Sequence, residues 1–361
     1  MLRPPEHPSR SLYFVNAWLD TALIGGLSII VFIALRLFSR GEVTHEAVLV
    51  ASTLAVFVNY PHFSATLYRL YQSPDNVQQF PITSIGLPIL LVGAIAASLW
   101  QPNLIAPYFI TLFLIWSPYH YSGQTIGITM LYARRSGFEV GRWQRLALSA
   151  FVFSTFIANF SYPRSGDPIM RYGVMIPVMH FPAWFGGLMI TVMIASGTVL
   201  LYFAFAWSRA HKKMLPPIVL LPAVTQLVWF LPGNQTAMFI EFIPLFHSLQ
   251  YLYIAWAMQI GLRMAEPTAD GPRRSASHET LRWLLRNSIG GIALFIALPW
   301  VLYWIDIPMV TIAGVVVAAL NIQHFFVDGV IWKLRNTSSA SPLMMNIADW
   351  SSPSPRTLVT V

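Results

Sequence analysis

Long apolar segments, each close to the length that a membrane-spanning helix needs, recur along the whole chain. A helix needs about 20 mostly apolar residues to cross the hydrocarbon core of a bilayer. Ten such segments are predicted, near residues 17–38, 47–70, 82–100, 104–133, 144–161, 183–207, 216–232, 236–262, 287–304 and 308–332. The third, fifth, seventh and ninth segments are short or flanked by proline, which keeps eight or nine spans as an alternative. The sequence therefore predicts an all-α, polytopic integral membrane bundle of about ten transmembrane helices.

Charged side chains are too few to cover a water-soluble surface of this size. They make up 10% of the residues, whereas about a quarter of a soluble domain is charged. Together with the 56% of hydrophobic residues, this scarcity excludes a soluble enzyme, a disordered chain and a fibrous protein. The chain has no cysteine, which excludes disulfides, thiolate metal sites and cysteine nucleophiles.

The distribution of the basic residues predicts an orientation in the membrane. With the N-terminus in the cytoplasm and ten alternating spans, 18 of the 22 Lys and Arg residues fall on the cytoplasmic side. The opposite side receives Arg36, Arg40, Arg164 and Arg171. This imbalance follows the positive-inside rule, so we expect a multi-pass protein of the cell membrane with both termini in the cytoplasm. The net charge of +8 is then a topology signal, and we expect no nucleic-acid partner.

The predicted spans and their loops form one transmembrane domain, residues 1–335. The remaining segment, residues 336–361, is rich in Ser, Thr and Pro. Such a composition cannot bury enough apolar surface to fold, which predicts a disordered cytoplasmic tail.

Four of the nine histidines lie inside predicted spans, where ionisable residues are rare and are functional candidates by default. They are His62, His120, His247 and His324, on the second, fourth, eighth and tenth spans. All four spans are even-numbered, so their helices run in the same direction across the membrane. This direction allows the four imidazoles to lie in a common layer.

Each of these histidines has a polar neighbour three or four residues away, on its own helix face. Thr66 follows the first by four residues, Gln124 the second by four, Gln250 and Tyr251 the third by three and four, and Asp328 the fourth by four. Asn59, three residues before the first, is a further residue that could orient a ring. Neutral imidazole is a good ligand for iron, copper or zinc, and bundle cores hold metals between facing helices. We therefore predict a metal site formed by the four histidines. The polar neighbours would orient the rings, and Asp328 would act as the catalytic carboxylate or as a further ligand.

Three other interpretations fit the same residues. The histidines and Asp328 could line a substrate or proton path in a membrane transporter. Paired histidines could bind haem, in a haem or quinone redox protein. They could also form only structural hydrogen bonds between helices. Iron is the expected metal, with copper or haem as alternatives.

In its size, its many spans and its four membrane-embedded histidines, the chain resembles the Brp/Blh-type membrane carotene dioxygenases. The resemblance is one of overall plan. That family is understood to cleave β-carotene to retinal with a histidine-ligated non-haem iron. The resemblance thus implies an integral membrane oxidoreductase that uses dioxygen on a lipophilic substrate from the bilayer, such as a carotenoid, another isoprenoid or an acyl lipid. The HxxxH and HxxHH clusters of the histidine-box desaturases are absent.

Overall fold

The computed structural model describes residues 12–38, 45–161, 169–177, 179–233, 235–236, 239–265, 275–304, 306–332 and 343. Within these ranges the regular structure is helical, apart from one short β-hairpin. The prediction of an all-α fold is therefore confirmed. The tail predicted to be disordered, residues 336–361, lies outside the described residues except for Leu343.

The helices follow one another with short connections. The first seven are α1 Ala17–Phe38, α2 His45–Phe57, α3 Asn59–Tyr71, α4 Pro74–Gln79, α5 Ile82–Trp100, α6 Ala106–Ser136 and α7 Arg142–Phe160. After the hairpin strands β1 Ile169–Arg171 and β2 Val174–Ile176 come α8 Ala183–His211, α9 Leu221–Phe230, α10 Ile243–Ala265, α11 Ala276–Leu302 and α12 Met309–Ile331. Single 3₁₀ turns at Pro217–Val219 and Phe239–Phe242 precede α9 and α10.

Five of these helices are long and apolar enough to cross a membrane by length and composition: α1, α5, α8, α11 and α12. Helices α6 and α10 have sufficient length but carry polar side chains, including His120 and His247, that lower their hydropathy. Helix α9 has 10 residues, which at 1.5 Å per residue is about 15 Å, half of the hydrocarbon core. The predicted span 47–70 is divided at Val58, where α2 ends and α3 begins.

The helices that carry His62, His120, His247 and His324 pack on one another. Helix α3 contacts α10, α11 and α12, and α6 contacts α12. The crossing of α3 and α11 is especially close, since a Cβ added at Gly291 would lie 2.5 Å from the Tyr60 carbonyl carbon. Glycine at this position therefore allows the two backbones to approach.

Three π-helical turns, at Ala22–Gly26, Ile82–Gly86 and Ala293–Ala297, interrupt α1, α5 and α11. A π turn changes the hydrogen-bond register and leaves a backbone carbonyl open to an outside donor. In α1 the carbonyl of Ile24 accepts a hydrogen bond from the Gln250 side chain. The irregular turn thus connects α1 to α10.

A buried carboxylate fixes the segment before α1 to the bundle. Asp20 is 0% exposed and accepts four hydrogen bonds. Two come from the backbone amides of Phe14, at 2.8 Å, and Val15, at 3.2 Å. The others come from the hydroxyls of Tyr132, at 2.7 Å, and Tyr253, at 2.6 Å. This one side chain therefore joins the N-terminal segment to α6 and α10.

Arg135, near the end of α6, holds segments from both ends of the chain. Its guanidinium donates to the carbonyl oxygens of Leu12 at 3.0 Å, Tyr13 at 2.9 Å and Leu343 at 2.7 Å. Leu343 is 1% exposed. Leu12, Tyr13 and Leu343 consequently lie together at the same end of α6.

Candidate metal centre

The four histidines predicted to form a site converge at one place inside the bundle. His62 comes from α3, His120 from α6, His247 from α10 and His324 from α12. One ring nitrogen from each lies within 4.8 Å of all the others. A proline lies one to three residues before each of the first three histidines, in the same helical turn as that histidine. Pro118 lies inside α6, where proline removes a backbone hydrogen bond.

The rings face one another through their Nε2 atoms. The Nε2 atom of His324 lies 2.8 Å from Nε2 of His62 and 3.0 Å from Nε2 of His120. The His247 ring centroid is 5.1 Å from those of His62 and His120. All four side chains are buried, with His120 the most exposed at 9%.

The Nε2 separations among His62, His120 and His324 fit imidazoles that share one metal ion. At a nitrogen–metal distance of about 2.1 Å, two nitrogens at right angles are about 3.0 Å apart, and two at the tetrahedral angle are about 3.4 Å apart. The Nδ1 atoms of His62 and His247 are buried without a hydrogen-bond partner among the described residues. Coordination of His62 through Nε2 would leave its Nδ1 unpartnered, so the fit to a metal rests on the Nε2 spacing and on the donor set. The donor set of four neutral imidazoles suits iron, copper or zinc.

A threonine orients one of the rings. Thr66 Oγ1 lies 2.9 Å from Nδ1 of His324, so Nδ1 can carry the proton and donate it to the hydroxyl. The lone pair of that ring then resides on Nε2 and points at the other histidines. Such a hydrogen bond on the distal nitrogen is the usual way in which a protein fixes a metal-binding imidazole.

Asp328 borders the histidine cluster and connects it to a hydrogen-bond network. Its Oδ2 atom lies 3.3 Å from Nε2 of His324 and 3.7 Å from Nε2 of His120. Its Oδ1 atom accepts from the Tyr251 hydroxyl at 3.2 Å and from the Trp332 indole at 3.1 Å. One carboxylate oxygen is thus held by the protein, while the other faces the ring nitrogens.

Tyr251 is the predicted polar neighbour that contacts a histidine ring directly. Its ring stacks on that of His62, with centroids 4.2 Å apart and an interplanar angle of 1°. The Thr66 hydroxyl also donates to its oxygen at 2.5 Å. Tyr251 therefore buttresses one histidine and reaches the network around Asp328.

The other three predicted neighbours hold the helix backbones and one another. Asn59 accepts from the Ser248 hydroxyl at 2.5 Å. Gln124 donates to the carbonyl oxygen of His247 at 3.0 Å and to the Gln250 amide oxygen at 3.2 Å. These contacts join α3, α6 and α10 at the level of the histidines, and none of them is made to an imidazole nitrogen.

The sequence predicts Thr66 only as a polar neighbour of His62, four residues after it on the same helix face, and it does not place Trp332 in the site. Thr66 orients the ring of His324, which belongs to α12. The sequence of α3 around Thr66 gives no sign of this contact, because it forms between two helices. Trp332 follows Asp328 by four residues and donates to it across one helical turn. The Arg69 guanidinium lies over the indole, 4.6 Å from its centroid.

Two cavities of different polarity approach the histidines from opposite ends of α6. One, of about 310 Å³, lies between α6 and α12, is mostly apolar, and has His120 and Asp328 in its wall. The other, of about 520 Å³, lies beside the hairpin and includes Arg171 and Glu241. Tyr121 lines the second cavity, and its ring centroid is 4.2 Å from that of His247.

Nothing in the comparisons adds to this geometry. When the chain is compared with protein-family models, with curated proteins and with solved structures, no match is found.

Proposed function

We propose that this protein is an integral membrane oxidoreductase with a non-haem iron bound by His62, His120, His247 and His324. It would act with dioxygen on an apolar lipid, isoprenoid or carotenoid substrate that enters from the bilayer. The observation that carries the proposal is the convergence of four buried imidazoles, from four helices, within 4.8 Å. Four-fold convergence of costly side chains inside a membrane bundle is typical of a functional site.

The proposal includes the membrane arrangement expected from the sequence. The protein would cross the cell membrane about ten times with both termini in the cytoplasm, α9 being the short member of the set. The five long apolar helices support membrane insertion. The asymmetry of the basic residues supports the orientation.

Each residue around the cluster has a role in this proposal. Thr66 and Tyr251 hold the rings of His324 and His62 in place. Asp328 Oδ2, 3.3 Å from the His324 ring, would accept or deliver a proton at the substrate. The apolar walls of the smaller cavity would bind the substrate and exclude water. A bound iron would supply the redox chemistry that dioxygen requires.

The spacing of the nitrogens favours a bare ion over haem. The contacts of 2.8 and 3.0 Å between Nε2 atoms leave no room for a macrocycle between the paired rings. Copper can use the same imidazole ligands and is the second choice of metal.

A transporter is the second candidate function. The two cavities on opposite sides of the histidine layer favour it, because alternating access needs an approach from each side of a central site. Uptake of a substrate into proteoliposomes that Asp328→Asn abolishes, without any bound metal, would favour the transporter over the oxidoreductase.

Metal analysis of the detergent-purified protein tests the proposal. We expect about one iron per chain and no Soret band in the absorption spectrum. His324→Ala should lose most of the iron, whereas His278→Ala should retain it, because His278 is an exposed residue of α11 outside the cluster. Equal metal content in both variants, or no metal in the wild-type protein, would refute the iron site.

A further inference from the structure

The cavity between α6 and α12 has the form of a groove that leads away from the histidines. Along α6 its wall runs from His120 to Leu131, and 11 residues at 1.5 Å per residue span about 16 Å. At about 1.3 Å per methylene, from the 1.52 Å carbon–carbon bond, this length corresponds to roughly 12 methylene groups. The groove therefore has the length of a medium hydrocarbon chain.

Glycines leave the groove open toward the lipid. Gly123 and Gly127 on α6, and Gly329 on α12, line it, and all three are exposed. A Cβ added to any of them would meet no heavy atom within 4 Å. A side chain at these positions would consequently extend into the groove rather than into a neighbouring helix.

The far end of the groove is closed by a residue from the C-terminal part of the chain. Leu343 lines the groove and is 1% exposed. Its carbonyl oxygen accepts from Arg135, one helical turn beyond Leu131. Leu343 thus lies at the end opposite His120 and Asp328.

We propose that this groove binds an extended apolar chain drawn from the bilayer, and that Leu343 and Gly127 determine the length of chain it accepts. The proposal rests on the proposed function, since the chain's reactive segment would lie beside His120 and Asp328. The occupant follows from the surroundings: the groove is mostly apolar, faces the hydrocarbon side of two transmembrane helices, and has its polar groups at the histidine end. Leu343 is the stop at the other end.

Photo-crosslinking on the full-length purified protein, stripped of metal by a chelator, tests the groove independently of catalysis. The probes are fatty acids of 8, 12 and 16 carbons with a diazirine at the terminal carbon, and the labelled residues are mapped by mass spectrometry. We expect the 12-carbon probe to label the groove near Leu131 and Leu343. The 16-carbon probe should label it less at equal concentration.

Matched glycine variants report on the groove walls. Gly127→Leu should reduce groove labelling by the 12-carbon probe at least tenfold. Gly127→Ala should reduce it by a smaller factor, and this variant tests the proposal if the larger side chain prevents folding. Gly93→Leu is the control, because Gly93 on α5 is exposed, has nothing within 4 Å of an added Cβ, and does not line the groove. Its labelling should equal that of the wild-type protein.

Removing the stop should lengthen the groove. Leu343→Ala should raise labelling by the 16-carbon probe relative to the 12-carbon probe by about fourfold for each methylene admitted, since burial of a methylene contributes about 0.8 kcal/mol. Labelling that is insensitive to Gly127→Leu, or a length preference unchanged in Leu343→Ala, would overturn the proposal. Groove labelling in a protein that was purified without any bound metal, before the chelator was added, would instead refute the iron site and leave the groove proposal intact.

Discussion

Replacing the buried carboxylate near the start of α1 is expected to destabilise the whole bundle. In Asp20→Ala, the amides of Phe14 and Val15 and the hydroxyls of Tyr132 and Tyr253 all lose their acceptor. A buried donor left without an acceptor costs about 1–3 kcal/mol. Three of these four contacts are buried and the fourth is partly buried, so bulk water has little access to the donors.

The expected loss of stability is therefore at least about 3 kcal/mol. An unfolding entropy of about 2.1 cal/mol/K per residue gives about 0.76 kcal/mol/K for the 361 residues, so the unfolding temperature should fall by roughly 4 °C or more. Asp20→Asn keeps one acceptor oxygen and should fall between this variant and the wild-type protein. Asp306→Ala, at an exposed aspartate, is the matched control and should change the temperature by less than about 1 °C.

Intrinsic fluorescence during heating in detergent measures these temperatures, and the 13 tryptophans of the chain supply the signal. The detergent, protein concentration and heating rate are kept the same for all variants. A fall in Asp20→Ala no larger than that of the Asp306→Ala control would refute the reasoning that these four hydrogen bonds hold the N-terminal segment.

Three further results are expected. Gly291→Ala should sharply lower the yield of folded protein, because the added Cβ would lie 2.5 Å from the Tyr60 backbone. Size-exclusion chromatography measures the yield, and a normal elution profile would contradict the close crossing of α3 and α11. Thr66→Val should weaken metal binding about 10- to 100-fold in a competition titration, because the hydrogen bond that orients His324 is lost. An unchanged affinity would remove threonine from the site. Gln226→Leu should lower the unfolding temperature by several degrees, because the buried amide of Gln226 donates to three oxygens of α6 and α7. An unchanged unfolding temperature would show that those oxygens find other donors.

Hydropathy located the helices well where both ends of a span are marked by polar residues. The predicted spans 82–100 and 308–332 correspond to helices Ile82–Trp100 and Met309–Ile331. The prediction was poorer where the backbone breaks inside an apolar segment, as at Val58 between α2 and α3. The hydropathy of Val58 does not distinguish it from its neighbours, but Pro61 marks the break, because its nitrogen donates no hydrogen bond and its ring crowds the carbonyl of Phe57.

The sequence predicted which histidines form the candidate site better than it predicted the contacts around them. The placement of four histidines on helices of one direction singled them out before any coordinates. Periodicity also put Tyr251 on the face of His247, yet in three dimensions it stacks on His62, from another helix. Likewise, Gln124 reaches the carbonyl oxygen of His247. Contacts of this kind depend on helix rotation and crossing, which one helix's sequence does not encode.

The contact between Arg135 and the Leu343 carbonyl also bears on how the protein is made. Helix α6 is synthesised early, while Leu343 follows it by 208 residues, so this contact can form only after nearly all of the helices have left the ribosome. Until then the end of the groove beside Leu131 has no wall. A nascent bundle, folding from its N-terminal part onward, would therefore expose an apolar opening that closes only when its C-terminal part arrives. A translation product that stops before residue 343 would keep this opening and present it to the chaperones and proteases that monitor membrane insertion.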